Sequence, residues 1–284
     1  MDKELYRSKS SYFAKSKELL SAFIEYELGG KIETLKTFCL DELRWGSKFC
    51  NPEEEQIWSF DCDNTALVRA LYVVLWGHIF EIKEGDIGSW SKESNRSHPY
   101  RGDTMNSFNS LFGEQPYLHR AKNHGLDQSV IRWKNVMSFT WQYHTIGNFI
   151  LLPNGGNLNC ERGRKGDYFD LLLLDIADYK KNQELYANRP DLYDGVHAIM
   201  EKDNSYLLET PFEKLKEIFY LDPYFDDNNM PLNLYGLTRS ERGVRYLNAH
   251  EKLYIDLVDK YLETSEKIIE FRSQKMVDEL KDIL

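Results

Sequence analysis

The C-terminal part of the chain lacks both of the residues that most readily interrupt a helix. No proline follows Pro231, and no glycine follows Gly243. Apolar and aromatic residues recur there every seven positions, at Leu247, Tyr254, Tyr261 and Ile268. Such a period over this length is typical of a long helix that packs against a neighbour. The sequence therefore predicts one long helix in residues 238–284, which packs on the rest of the chain or on a partner.

Helical spacing is also present near the N-terminus. Apolar residues recur at near-helical intervals from Phe13 to Leu28, and the pair Gly29-Gly30 is expected to stop this helix. A second amphipathic segment covers about 31–45. Further along, Asp63-Asn64-Thr65 offers N-cap chemistry for a core helix that carries Leu67 to Leu75 and ends near Gly77.

The middle of the chain is predicted to alternate between loops and helices. Residues 84–103 are rich in glycine, serine, asparagine and charge, which indicates a long loop. Asp103-Thr104 resembles a helix cap, so a helix is expected at 104–112. Two more helices are predicted at 128–143 and from Tyr168 to Tyr179.

Residues 144–159 place a short apolar run between polar, glycine-rich turns. The run, Phe149-Ile-Leu-Leu152, is bounded by Gly147-Asn148 and by Pro153. It is the best strand candidate in the chain, and a buried helical turn fits the same periodicity. The simplest architecture is a single large, mainly α-helical domain in residues 1–237, with a small β element around 146–153 and the long C-terminal helix.

Composition indicates an ordinary globular protein. Hydrophobic residues make up 42% of the chain and charged residues 29%, which separates it from disordered sequences. No apolar run approaches the length of about 18 residues that a membrane span needs. The first residues are charged and lack the apolar core of a signal peptide. The four cysteines show no CxxC spacing, so we expect reduced thiols and a cytoplasmic protein.

The central region is basic although the whole chain is acidic. Residues 90–166 contain ten lysines and arginines against five aspartates and glutamates, whereas the net charge of the chain is −10. The same window holds four of the seven histidines and three of the six tryptophans. A basic, aromatic region can hold a phosphate, a carboxylate or a nucleic-acid backbone. Pairing with the acidic flanks inside the fold explains the charge equally well.

The first candidate site lies in the segment that runs from Asn95 to Thr104. Arg96 and Arg101 flank His98 in a predicted loop. Arginine forks bind phosphate oxygens through paired hydrogen bonds, and the predicted helix N-terminus would add exposed amides. Alternatively, the two arginines tie the loop to acidic helices and the histidine only packs.

The second candidate site begins at His144 and extends to Gly166. His144 is a candidate general base or metal ligand because imidazole titrates near neutral pH. Asn148 and Asn157 could orient that histidine or a ligand, and asparagine also stabilises left-handed turns without any function. Arg162 and Arg164 follow, and both are candidates for phosphate binding.

The order of these motifs resembles that of a bacterial family of unknown function. The resemblance rests on Thr145-Ile-Gly-Asn148, the apolar run, Pro153, an asparagine- and glycine-rich turn, and then Tyr168-Phe-Asp-Leu171. It extends over roughly residues 58–185 and includes Leu75-Trp76 and Asp103-Thr104. It implies no particular activity.

A second resemblance is to the HNH (ββα-metal) nuclease motif of modification-dependent restriction enzymes. Ile146-Gly-Asn148 with the following Leu-Leu-Pro153 and Asn157 is similar to the second half of that motif. The resemblance implies a divalent metal ion, a histidine that activates water and an asparagine that orients it. The first half of the motif, an Asp-His or Glu-His pair followed by an apolar residue and a proline, is absent from the sequence. Its nearest substitutes here are Ser97-His98-Pro99 and Asn123-His124-Gly125.

Three hypotheses follow, and the sequence leaves open whether the protein is an enzyme. In the first, residues 95–166 bind the phosphate of a nucleotide or nucleic acid through Arg96, Arg101, Arg162 and Arg164. In the second, a divalent metal ion assists phosphodiester hydrolysis with His144 or His98 as the base. In the third, the protein has no catalytic site and serves assembly, with homo-oligomers formed through the C-terminal helix.

Overall fold

The computed structural model describes residues 2–44, 62, 65–88, 98–106, 138–139, 141–153, 169–188, 206–234, 236 and 252–284. Most of these residues are helical, which confirms the mainly α fold. The α-helices in this part of the chain are α1 (Lys3–Lys9), α2 (Ser11–Glu27), α3 (Ala66–Phe80), α4 (Phe169–Lys181), α5 (Gln183–Asn188), α6 (Tyr206–Glu209), α7 (Phe212–Phe219) and α8 (Lys252–Ile283).

Helix α2 forms where the apolar spacing predicts it. The Ser10 hydroxyl accepts a hydrogen bond from the amide of Phe13 at 3.1 Å and caps the helix. Phe23, on the apolar face, is fully buried. The helix ends before Gly29, whose φ of +59° lies in the left-handed region that glycine adopts without strain. The amphipathic segment at 31–45 forms two 3₁₀ turns, Ile32–Lys36 and Leu40–Arg44.

Helix α3 begins at its predicted cap and runs past its predicted end. The Thr65 hydroxyl accepts from the amide of Val68 at 3.2 Å. The helix continues to Phe80, so the expected stop near Gly77 is wrong. A side chain at Gly77 would place its Cβ 2.4 Å from the Tyr6 hydroxyl oxygen. Glycine is therefore needed inside this helix because α1 approaches it closely, not because the helix ends there.

A three-stranded sheet has the order β1-β2-β3, with β1 at Ile87–Gly88, β2 at Tyr100–Thr104 and β3 at Phe149–Pro153. Strand β2 runs parallel to β1 and antiparallel to β3. The interpretation of Asp103-Thr104 as a helix cap is thus wrong, because these residues pair with β3 instead. Of the helix predicted at 104–112, residues 107–112 lie outside the described residues.

The predicted β element is confirmed at Phe149–Pro153, and it is preceded by a 3₁₀ turn at Ile146–Asn148. All four residues of the apolar run in β3 are fully buried. A strand that is covered on both faces is expected to carry a continuous apolar run and not an alternating pattern. This explains why periodicity alone could not separate the strand from a buried helical turn.

The long C-terminal helix is observed as α8, Lys252–Ile283. Tyr261 and Ile268, two of the predicted seven-residue positions, are buried within the chain. The helix predicted from Tyr168 is also observed, as α4, and Leu171, Leu172 and Leu173 in it are buried. Among the described residues, no helix is long and apolar enough to span a membrane.

The chain divides into two compact units. The first comprises Met1–Thr104, His144–Asn154 and Glu270–Leu284, and the second comprises Met105–Tyr143 and Gly155–Ile269. In the first unit, α2 packs along α3, and β2 pairs with β3. The predicted boundary at residue 238 lies outside the described residues and stays a prediction.

The second unit contains a buried polar network. The Tyr224 hydroxyl donates to the Asn106 side-chain oxygen at 3.1 Å, and the Ser265 hydroxyl lies 3.4 Å from the same oxygen. The carboxylate of Asp170 accepts from the amide of Leu234 at 2.8 Å.

Of the helix predicted at 128–143, residues 138–139 and 141–143 are described, and Tyr143 donates its amide to the Phe139 carbonyl.

Candidate functional site

The turn that contains His144 and Asn148 is fixed by backbone hydrogen bonds. The carbonyl of His144 accepts from the amide of Leu40 at 2.9 Å. The amide of Asn148 donates to the Thr145 carbonyl at 3.0 Å, which closes the 3₁₀ turn. Buried backbone groups require such partners, and here they come from the turn itself and from the N-terminal part of the chain.

Two side chains of α8 also bind this turn. Arg272, which is 0% exposed, donates from Nη1 to the Gly147 carbonyl and from Nη2 to the Phe149 carbonyl, 2.9 Å away. The Ser273 hydroxyl accepts from the amide of Gly147 at 3.0 Å. A buried guanidinium is costly unless it is hydrogen-bonded, and these carbonyl oxygens supply acceptors for it. The turn and α8 therefore form one hydrogen-bonded element, which we call the Arg272 clamp.

His144 and Asn148 are both buried. His144 is 8% exposed and its ring stacks on Phe149 with 6.2 Å between the ring centroids. Asn148 is 0% exposed. A general base must reach its substrate within hydrogen-bonding distance, so a catalytic role for His144 would require the ligand to enter this core. The roles of both residues in binding or catalysis stay predictions.

His98 lies at the opposite end of the sheet, two residues before β2. Its Nδ1 is 2.5 Å from the Gly85 carbonyl oxygen. A carbonyl oxygen can only accept, so Nδ1 carries the proton and the neutral ring has its lone pair on Nε2. This bond fixes the ring's orientation and its tautomer together.

The start of β2 is held by several contacts. Tyr100 donates its amide to the Asp86 carbonyl at 3.1 Å and its hydroxyl to the Phe80 carbonyl at 3.1 Å. The rings of Phe80 and Tyr100 lie 5.0 Å apart. Tyr100 pairs with Pro153, the last residue of β3. We call this end of the sheet, where β2 begins and β3 ends, the Tyr100–Pro153 end.

The structure separates the predicted site residues into two groups. His144 and Asn148 precede β3 at Phe149, which pairs with Thr104, whereas His98 and Arg101 lie at the Tyr100–Pro153 end. At a rise of roughly 3.4 Å per residue, the four steps from Phe149 to Pro153 separate the two ends of β3 by about 14 Å. The backbone of Arg101 is described, but its side chain is not, and Arg96, Asn157, Arg162 and Arg164 lie outside the described residues.

A separate charged cluster lies between α1, α3 and α8. Lys3 donates to the Glu279 carboxylate at 2.7 Å, and Arg7 lies 3.8 Å from the same oxygen. Burial, together with the smaller effects of the Lys3 and Arg7 charges, lowers the pKa of His78 to about 4. Within the described residues, no three histidine, cysteine or acidic side chains are grouped as a metal site would require.

Sequence reasoning missed Arg272 and Ser273. The signal was present, because Arg272 falls four residues after Ile268 and four before Met276, on a face of α8 that is otherwise apolar. A charged residue on a buried stripe indicates a specific internal partner. The partner, 125 residues away at Gly147, could not be identified from spacing within the helix.

Comparison with known proteins identifies no relative of this chain. No protein-family model matches the chain, and neither a curated protein nor a solved structure matches it. The resemblances to a bacterial family of unknown function and to HNH nucleases therefore stay predictions, and the site is defined by its own contacts alone.

Proposed function

We propose that the protein binds an anionic ligand, the phosphate of a nucleotide or nucleic acid, at the Tyr100–Pro153 end of its sheet. The observation that carries the proposal is the pairing of Tyr100 with Pro153. This pairing joins the strand that follows the first basic segment to the strand that precedes the second. Both residues of this pair thus belong to the basic window, residues 90–166, and one basic segment adjoins each of them along the chain.

The first basic segment directly precedes this end along the chain. Arg96 precedes Tyr100 by four residues, and four extended residues span at most about 14 Å. His98 lies between them, with its ring oriented by Gly85. Guanidinium groups close to one strand end are suited to phosphate oxygens, since arginine donates two parallel hydrogen bonds.

The second basic segment follows β3 along the chain. Arg162 comes nine residues after Pro153, and Arg164 comes eleven residues after it. We include both arginines in the proposal on the basis of sequence, and they are tested separately from Arg96 and Arg101. His144 and Asn148 are left out of the proposed ligand contacts because both are buried.

Burial on α8 favours this proposal over assembly through the C-terminal helix. Tyr261, Ile268, Met276 and Leu280 are buried within the single chain. Apolar area that is already buried contributes nothing further when a second chain associates. The exposed positions of α8 include Lys260, Glu263, Lys267 and Glu270, which are typical of a solvated face.

We also propose a cytoplasmic location. Cys39 and Cys62 are buried, and the four cysteines of the chain show no CxxC spacing, so we expect reduced thiols. Thiols that stay reduced are typical of proteins in the cytoplasm, where glutathione and thioredoxin prevent disulfide formation.

Binding is tested by fluorescence anisotropy with a labelled oligothymidylate and with a labelled adenine nucleotide over a salt series. We expect log affinity to fall linearly with log salt concentration, because bound phosphates release counterions. The double variant Arg96→Ala/Arg101→Ala should weaken binding, and Arg162→Ala/Arg164→Ala tests the second segment in the same way. The matched control is Lys214→Ala, an exposed cation on α7.

Unchanged binding in both double variants would refute the proposed site. Binding that is equally weakened by Lys214→Ala would indicate general charge attraction and no specific site. Adding Mg²⁺ to the same samples and following the length of the oligonucleotide separates binding from cleavage, which the nuclease resemblance implies.

A further inference from the structure

The Arg272 clamp acts on the first residue of β3 and on the turn before it. Arg272 binds the carbonyls of Gly147 and Phe149, and Ser273 binds the amide of Gly147. Hydrogen bonds to the carbonyls on both sides of Asn148 fix the direction in which the chain enters the strand. Lysine would not replace this arrangement, because arginine directs several donors from one rigid plane and lysine presents a single compact charge.

The entry of β3 determines its register against β2. Five residue pairs join the strands, from Phe149 opposite Thr104 to Pro153 opposite Tyr100. Moving a strand by one residue turns every side chain to the other face of the sheet. A contact that fixes Phe149 therefore also fixes which residue of β3 lies beside Tyr100.

We propose that Arg272 is a positioning residue for the anion site at the Tyr100–Pro153 end. It is fully buried and acts through the strand, by holding β3 in the register that pairs Pro153 with Tyr100. Ser273 supports it by accepting the amide of Gly147. This inference rests on the proposed anion binding and adds the element that maintains the geometry of that site.

The experiment compares three variants of the full chain at a temperature well below the unfolding midpoint of each. Arg272→Lys keeps the positive charge and removes the forked guanidinium. Ser273→Ala is a milder change to the same hydrogen-bonded turn, and it replaces Arg272→Lys in the experiment if that variant does not fold. Val277→Ala, which truncates a fully buried apolar residue on the same helix, is the control for destabilisation alone. Each variant is examined by amide hydrogen exchange and by anisotropy with labelled oligothymidylate.

We expect faster exchange at the amides of Asp103 and Ile150, which face each other across β2 and β3, in Arg272→Lys. The affinity should be at least about tenfold weaker, which corresponds to about 1.4 kcal/mol. Ser273→Ala should change both quantities in the same direction and by less. Val277→Ala should lower the unfolding temperature and leave the affinity of the folded protein unchanged. If Arg272 served stability alone, the folded Arg272→Lys and Val277→Ala variants would bind with the same affinity.

Two results would overturn the inference without affecting the proposed function. One is unaltered affinity in folded Arg272→Lys and Ser273→Ala, and the other is a loss of affinity in Val277→Ala as large as in Arg272→Lys. If the unaltered protein binds no oligothymidylate and no nucleotide, the proposed function fails and the inference falls with it. The two failures are thus distinguished by the behaviour of the unaltered protein.

Discussion

Two glycines leave space for tyrosine rings in the first unit. A Cβ at Gly102 would lie 2.3 Å from Tyr72 Cε2, and a Cβ at Gly77 would lie 2.4 Å from the Tyr6 hydroxyl oxygen. Real Cβ atoms do not come so close to neighbouring atoms, so the tyrosine ring or the backbone would have to move. At both positions the glycine is required by close approach and not by a turn.

Gly102→Ala should therefore destabilise the protein by about 1–3 kcal/mol, as overpacking of a core commonly does. The free energy of unfolding is measured from urea transitions of the single variant and of the same change in a Tyr72→Leu background. Because the smaller leucine leaves space for the methyl group, we expect the substitution to cost less there, which is a coupling between neighbours. An equal cost in both backgrounds would show that the Tyr72 ring is not the cause.

His78 gives the molecule a dependence on pH. Its folded-state pKa of about 4 lies below its ordinary value of 6.5 because burial and the charges of Lys3 and Arg7 disfavour the imidazolium, while Glu279 partly opposes them. The unfolded chain therefore binds a proton between pH 6.5 and about 4 that the folded chain does not bind. The contribution of His78 to stability is complete above pH 6.5 and is lost as the pH falls through this range.

His78→Gln should flatten this part of the stability profile. The measurement is the free energy of unfolding from urea transitions at several values of pH between 7 and 4, for the variant and the unaltered protein. The difference between the two profiles isolates His78 from the carboxylates that titrate in the same range. Parallel profiles over the whole range would contradict the account.

At the scale of elements, local signals sufficed wherever an element is determined by its own residues. Helix α2 follows its apolar spacing and ends before Gly29, and α3 starts at Thr65. The long helix α8 follows from the absence of proline and glycine after residue 243. In these cases capping and periodicity act within a few residues, so the sequence shows them directly.

Elements that depend on distant partners could not be predicted from local signals. Strand β2 contains Gly102, Asp103 and Thr104, residues that favour loops and caps when they are considered alone. They form a strand because β3, more than forty residues later, supplies the hydrogen bonds. The contacts of the candidate site could not be predicted for the same reason. Arg272 is far from His144 in the sequence, and the residues around His144 gave no indication of it.

The N-cap of α3 allows a test of how much one local hydrogen bond stabilises a helix. Thr65→Ala should lower the free energy of unfolding by about 0.5–2 kcal/mol, because the Val68 amide loses the hydroxyl acceptor. Thr65→Ser, which keeps the hydroxyl, should cost less. Thr37→Ala, at an exposed threonine that ends a 3₁₀ turn, is the control and should change stability by less than about 0.5 kcal/mol. Equal effects at Thr65 and Thr37 would refute the capping role.

For the molecule as a whole, the first unit is assembled from segments at both ends of the chain. Lys3 binds Glu279 at 2.7 Å, and Lys36 binds the Gln274 side chain at 2.8 Å. Residues 270–284 belong to the same unit as the N-terminal helices. The unit therefore cannot be completed without the last part of α8.

Deleting residues 271–284 should abolish the cooperative unfolding of the first unit. The deletion removes the buried Arg272, Met276, Val277 and Leu280. Truncating even one large core side chain typically costs about 2–5 kcal/mol of unfolding free energy. Amide exchange in α2 and α3 measures the effect. Protection that persists in both helices after the deletion would show that the unit is stable without α8.

We propose that anions bind at the Tyr100–Pro153 end and do not contact the buried turn at His144–Asn148. The most direct test is an amide NMR titration of the unaltered protein with oligothymidylate. We expect saturable shifts at His98, Tyr100 and Arg101, with little change at Asn148. Shifts centred on Asn148 and absent from Tyr100, or no saturable shift at either place, would contradict the account.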